Sequence, residues 1–222
     1  MKQVSKSKGI LIISMSIIAT IGIIALIKIL TNKKGNNLSK KLSKNDKLKF
    51  LFIGDSYTTF ANGYPELIKA EFPNVEITKY AQVGKQTSWM YDQYRLDTNK
   101  YDAVFIMGGT NDIYAKNQVS DAKVNIEKIM YNAKNKGSFV VLITPPPSGN
   151  YNLYDSSKQA LHDSLNEYIK TSAADLVIDF YSMLENPNKK GAALSKYNIS
   201  DGLHLNQSAY TLLANEIINK LK

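Results

Sequence analysis

Leu48-Lys49-Phe50-Leu51-Phe52-Ile53-Gly54-Asp55-Ser56 is the stretch on which the fold turns. Residues 48–53 are a short, mostly apolar run, and the run stops at a glycine, an acid and a serine. A run of that length, bounded by turn chemistry, reads as a buried strand feeding a tight turn. Four more runs of this kind follow. Residues 75–81 alternate enough to form a second strand, and residues 103–107 form a third that ends at Gly108-Gly109. Residues 139–143 form a fourth, stopped by Pro145, Pro146 and Pro147, and residues 176–180 form a fifth.

Helical patterns lie between the strands. Residues 121–136 place Val124, Ile126, Ile129 and Met130 at near-helical spacing, and Gly137 ends the pattern. Residues 156–172 carry Leu161, Leu165, Tyr168 and Ile169 on one stripe, and residues 207–221 carry Leu212, Leu213, Ile217 and Ile218. Less regular helical patterns cover 58–72 and 87–96. Strand and helix in alternation predict an α/β fold with a five-stranded, mostly parallel sheet covered on both faces. Ligands of such sheets bind beyond the carboxyl ends of the strands. Gly54-Asp55-Ser56 and residues 108–112 both fall there, which makes them neighbours in space although they are far apart in sequence.

Ser56 is a poor nucleophile unless a base takes its proton during attack; the alternative reading is a helix N-cap. The chain has two histidines, His162 and His204. His204 closes Asp201-Gly202-Leu203-His204, where one tight turn can bring the carboxylate to the far ring nitrogen and leave the near one for a serine. The alternative is a surface loop with a chance histidine. His162, in a polar helical stretch beside Asp163 with no motif around it, reads as such a chance residue. Gly109-Thr110-Asn111-Asp112 offers an asparagine side chain that can donate to an oxyanion, or else a turn or helix cap. Gly84, in Gln82-Val83-Gly84-Lys85, can add a backbone donor or simply make a turn.

These four blocks, in this order and spacing, resemble the SGNH hydrolase family of GDSL-type esterases and lipases. That family carries a serine in Gly-Asp-Ser, a glycine, an asparagine in Gly-x-Asn-Asp and a histidine in Asp-x-x-His. The match runs over about residues 48–221. One departure is Tyr57, where the eponymous motif has leucine; that position varies in the family and lies outside the chemistry. The resemblance implies a flavodoxin-like three-layer sandwich and ester hydrolysis with no metal or cofactor. Ser56 would attack the ester carbonyl, His204 would take and return the proton, and Asp201 would orient the ring. The amides of Ser56 and Gly84 and the side chain of Asn111 would form the oxyanion hole. Asp55 and Asp112 would brace the loops.

Short loops and the lack of a long apolar insertion favour a small acyl group, such as acetate on a cell-envelope or exported glycan. Tyr57, Trp89, Tyr91, Tyr94, Tyr114, Tyr151 and Tyr154 either line a cleft for such a substrate or serve packing. Two alternatives share the same triad: a lysophospholipase-type lipid acylhydrolase and an O-acyltransferase.

The rest of the chain bears on location. Of the net +9, residues 1–49 carry +10, from eleven lysines and Asp46, which leaves −1 for the remainder. A nucleic-acid groove in the folded body is therefore not expected. Lacking cysteine, the chain has no disulfide or thiolate metal site. Residues 10–27 hold no charge, which suits a single membrane helix. Neither a small-residue cleavage site nor a lipid-bearing cysteine follows it, so the expectation is an uncleaved signal anchor over 1–30, with a removed signal peptide as the alternative. Residues 31–46 read as a basic flexible linker and 47–222 as the hydrolase domain. Lysines on both sides of the apolar run leave its orientation open. By flanking count the body is cytoplasmic; by likeness to an export signal it faces outside the cell membrane, which is the reading preferred here.

Overall fold

The computed structural model describes residues 46–222. The expected anchor, 1–30, and the linker up to residue 45 lie outside the described residues. Among the described residues, no helix is long and apolar enough to cross a membrane.

Five strands form one sheet: β1 (Lys49–Gly54), β2 (Glu76–Ala81), β3 (Ala103–Met107), β4 (Phe139–Ile143) and β5 (Leu176–Ile178). Every neighbouring pair in it is parallel, in the order β2-β1-β3-β4-β5. The helices that connect and close the sheet are α1 (Ser56–Thr59), α2 (Tyr64–Glu71), α3 (Thr87–Leu96), α4 (Thr110–Lys116), α5 (Ser120–Asn135), α6 (Ser156–Lys170), α7 (Phe180–Leu184) and α8 (Gln207–Leu221). A separate antiparallel pair, β6 (Glu185–Asn186) and β7 (Lys189–Ala193), stands apart from the main sheet.

The period-2 side-chain alternation of a strand divides the interior into two cores. Phe50 and Phe52 of β1, Phe105 and Met107 of β3, and Val141 and Ile143 of β4 pack on one face with Ile68, Leu213 and Ile217 of α2 and α8. Leu51 and Ile53, Val104 and Ile106, and Val140 and Leu142 pack on the other with Met90, Ile126, Ile129, Leu165 and Ile169 of α3, α5 and α6. Both faces are thus covered, which is why the strands read as continuous apolar runs.

Local chemistry sets the element ends. Asp155 caps α6 by accepting from the Lys158 amide, and Asn206 caps α8 by accepting from Ser208 and Ala209. Gly137, at φ +88°, ends α5 in a Schellman turn: its amide donates to the Lys134 carbonyl, and the Ser138 amide to that of Ala133.

Two expectations need adjusting. The fifth strand stops at Ile178, because Asp179 caps α7 and turns Phe180 into a helix. The helical pattern at 58–72 is two helices, α1 and α2, separated by a turn before Pro65 at the second position of α2.

The strand order brings the site together. β1 pairs with β2 on one side and β3 on the other, so this is where the winding reverses direction. Gly54 sits level with Ala81 of β2 and with Met107 of β3. The segments leaving these three residues therefore emerge at one height on the same sheet edge.

Candidate active site

The turn after β1 is tight for a steric reason. A Cβ on Gly54 would lie 2.1 Å from the Thr58 Oγ1 and 2.9 Å from the Met107 carbonyl oxygen. The next residue, Asp55, is fully buried and caps α1, its Oδ1 accepting from the Tyr57 amide at 3.1 Å. Ser56 is the first residue of α1 and is only half-buried.

The segment 198–205 folds back beside it. Gly202, at φ +70°, makes the turn, and a Cβ there would meet the Asn150 carbonyl oxygen at 2.2 Å. An antiparallel bridge between Asn198 and Leu205 and a hydrogen bond from the Ile199 amide to the His204 carbonyl close the loop. Asp201 Oδ1 accepts from the amides of Leu203 and His204, at 2.9 and 2.8 Å. Its Oδ2 lies 2.6 Å from His204 Nδ1, and His204 Nε2 lies 3.1 Å from Ser56 Oγ. Burial acts to raise the Asp201 carboxyl, but the hydrogen bonds from the His204 ring and the two amides outweigh it and hold it below the usual range. An ionised carboxylate only accepts, so Nδ1 carries the ring proton and Nε2 is left to accept from the serine hydroxyl. This arrangement can move a proton from Ser56 Oγ to His204 Nε2.

Asn111, in the first turn of α4 beyond the end of β3, reaches the same edge. Its Nδ2 donates to the Lys85 carbonyl at 3.1 Å and to Asp55 Oδ2 at 3.3 Å. Gly84 immediately precedes Lys85, at φ +74° in an exposed turn, so the loop after β2 runs alongside the Asn111 amide. Asp112 serves the same loop from below. It accepts the Thr87 amide at 3.0 Å and the Thr87 hydroxyl at 2.8 Å, and Asn125 donates to that hydroxyl in turn. Burial pushes the Asp55 carboxyl up to about 7, against the Tyr57 amide and with the help of Asp112. Asp112 is also raised, burial again outweighing its Thr87 hydrogen bonds. Both acids spend their oxygens on internal donors, as braces do.

Ser56, His204 and Asp201 are thus linked by direct hydrogen bonds, Asn111 is tied to Asp55, and Gly84 stands one residue from the carbonyl that Asn111 holds. Among the described residues, no group of three or more histidine, cysteine, aspartate or glutamate side chains is placed to hold a metal ion.

The sequence leaves the burial of His162 unread and gives Tyr57 two places, cleft lining or packing. His162 is no solvated chance histidine: it is fully buried, 3.4 Å from Ser148 Oγ, which lies 2.9 Å from the Tyr114 hydroxyl. Burial pushes its imidazole down to about 4. Tyr57 is buried too, and its hydroxyl donates to the Leu203 carbonyl at 3.0 Å. Of the remaining aromatics, Tyr94 is core, Trp89 and Tyr91 pack against the α3/α5 side, and Tyr114 and Tyr151 meet edge to face.

The model of the GDSL-like lipase/acylhydrolase family matches residues 52–212, a span that holds all of these side chains. Solved structures resemble the chain over most of its length. One is a lipase/acylhydrolase from Enterococcus faecalis, 23% identical, covering 78% of this chain and 95% of its own, with a TM-score of 0.63. Another is a GDSL-like lipase from Bacteroides thetaiotaomicron, 19% identical, covering 86% and 98%, with a TM-score of 0.62. A third is a mutant of an acetyl-xylooligosaccharide esterase from Geobacillus, 19% identical, covering 81% and 96%, with a TM-score of 0.65. A search of curated proteins gives no match. At these identities the structural likeness speaks for the fold, which is the five-stranded α/β sandwich described above.

Proposed function

The chain belongs to the family of GDSL-like lipases and acylhydrolases and is a carboxylic ester hydrolase; we propose that Ser56 is its nucleophile, activated by His204 and Asp201. The observation that carries this reading is the unbroken chain Ser56 Oγ–His204 Nε2, 3.1 Å, and His204 Nδ1–Asp201 Oδ2, 2.6 Å. Ser56 Oγ adds to the ester carbonyl carbon while its proton passes to Nε2. The tetrahedral intermediate collapses, and the leaving alcohol takes that proton from Nε2. Water then attacks the acyl-serine by the same path and releases the acid. Asp201 stays ionised and stabilises the imidazolium formed at each step.

The oxyanion would be held by the amides of Ser56 and Gly84 and by Asn111 Nδ2. The 3.3 Å contact from Nδ2 to Asp55 is the longer of its two, and it is the one that an incoming oxyanion would replace. Ser56→Ala should retain the fold and lose nearly all turnover of an acetyl ester. Undiminished hydrolysis by that variant contradicts the assignment.

For the substrate, we propose a small acyl ester, acetyl above all, on a glycan. The loops leaving β1, β2 and β3 are five residues or shorter, which supports a short acyl group over a buried fatty chain. The similar fold of an acetyl-xylooligosaccharide esterase points the same way. A panel of esters of graded chain length should show kcat/KM falling beyond acetyl and propionyl. Preference for long-chain esters overturns the acetyl reading and leaves Ser56 untouched. We further propose that residues 1–30 anchor the protein in the cell membrane with the hydrolase domain outside, on the strength of the uncharged run at 10–27. Protease added to intact cells should then digest the domain, and full protection argues for the opposite orientation.

A further inference from the structure

Tyr57 follows Ser56 directly, and its hydroxyl reaches across 146 residues of sequence to the carbonyl of Leu203, at 3.0 Å. That carbonyl belongs to the peptide unit joining Leu203 to His204. The same unit's N–H is held by Asp201 Oδ1 at 2.8 Å. A peptide unit is planar, so fixing its oxygen and its N–H fixes the plane and the Cα of His204 on which the imidazole is mounted. The tyrosine ring itself is buried, packs in the core cluster that includes Leu205 and Tyr210, and lies 5.9 Å from the imidazole centroid. Nucleophile and base are therefore referenced to one rigid residue. Its amide is anchored to Asp55, its neighbour is the nucleophile, and its hydroxyl holds the loop of the base.

From this geometry we propose that Tyr57 is a positioning residue, which sets the approach of His204 Nε2 to Ser56 Oγ by clamping the Leu203–His204 peptide. It touches no reacting atom. The proposal rests on the Ser56–His204–Asp201 reading. A leucine at this position, as in the eponymous motif, can fill space but has no donor for the Leu203 carbonyl. The loop in this chain therefore depends on a hydrogen bond that a leucine-bearing chain would have to replace by packing.

The test is a double-variant cycle on the full-length protein, with kcat and KM measured on a small acetyl ester and folding checked by circular dichroism. Tyr57→Phe keeps the ring and removes only the hydroxyl. Misplacement of a base by a fraction of an ångström to 1 Å predicts a fall in kcat of about 10- to 100-fold, with KM changing by less than about threefold. Because the effect is routed through the imidazole, it must vanish where there is none: Tyr57→Phe/His204→Ala should turn over as slowly as His204→Ala alone. A Tyr57→Phe enzyme that is folded and within twofold of the parent overturns the proposal, as do losses that multiply in the double variant. If Tyr57→Phe does not fold, Tyr57→Leu enters the same cycle with the same expected non-additivity. Should His204→Ala keep parental activity, the triad reading fails and this proposal with it. A crippled His204→Ala beside an unaffected Tyr57→Phe sinks this proposal alone.

Discussion

At the scale of single residues, the site is a set of hydrogen bonds whose donors and acceptors can be counted. Asn111 has two amide hydrogens, and both are engaged, by Lys85 and Asp55. Donation to an oxyanion therefore exchanges one partner for another, and Asp55 is the partner given up. Asn111→Ala should lower kcat by roughly 10²–10³ with little change in KM; a silent substitution would show that the oxyanion is held by backbone amides alone. Much of this was legible in the sequence. Ser56, Asn111, Asp201 and His204 announce themselves through local chemistry, each in a short block with a turn residue beside it. Tyr57 did not, because its partner lies 146 positions away and only the folded chain shows that the two meet. The burial of His162 was hidden for a related reason. Its sequence neighbours Gln159, Asp163 and Ser164 are polar, and the rings beside it, Tyr154 and Tyr181, come from the loop before α6 and from α7.

At the scale of elements, the turn after β1 and the start of α3 carry the constraints. Gly54→Ala forces a Cβ against Thr58 and the Met107 carbonyl, so β1 and β3 must separate or α1 must shift. Overpacking of this kind costs typically about 1–3 kcal/mol, and the displaced Ser56 should lower kcat as well. Urea denaturation with parallel kinetics checks both, and a variant equal to the parent in each would contradict the steric account. Asp112 joins α4 to α3. Removing it in Asp112→Ala strands the Thr87 amide and hydroxyl, a loss of about 1–3 kcal/mol, while Asp112→Asn keeps one acceptor and should lose less. Equal midpoints for the two variants would mean that the Thr87 bonds carry no stability. The strands at 103–107 and 139–143 and the helices at 87–96 and 207–221 were readable from pattern to the residue. What escaped was the short and the unpatterned. α4 begins in Thr110-Asn111-Asp112, which spells a turn. The β6/β7 pair contains Lys189-Lys190-Gly191, which has no apolar alternation and pairs outside the main sheet.

At the scale of the whole molecule, two buried groups make opposing contributions to stability across the same pH range. Burial holds His162 down at about 4 against an ordinary 6.5, so its contribution is full above about 6.5 and is lost as pH falls toward 4. Burial holds Asp55 up at about 7 against 3.8, so its contribution is full below about 3.8 and is lost as pH rises through 7. The limits are on the order of 3 kcal/mol for His162 and about 4 kcal/mol for Asp55, and together they flatten the profile between. The melting-temperature gap between parent and His162→Gln should therefore narrow as pH falls from 6.5 to 4. The gap to Asp55→Asn should narrow as pH rises from 4 to 7. Gaps that stay constant would place neither group in its stated form.

In the proposed mechanism the Ser56 hydroxyl is the nucleophile and owes its reactivity to His204. The most direct test is intact-mass and peptide mapping after treatment with a fluorophosphonate. One adduct per chain is expected, on Ser56, formed at least about a hundredfold more slowly in His204→Ala, on the scale of losing a general base. A label on another serine, or labelling of Ser56 at an undiminished rate without His204, would contradict it.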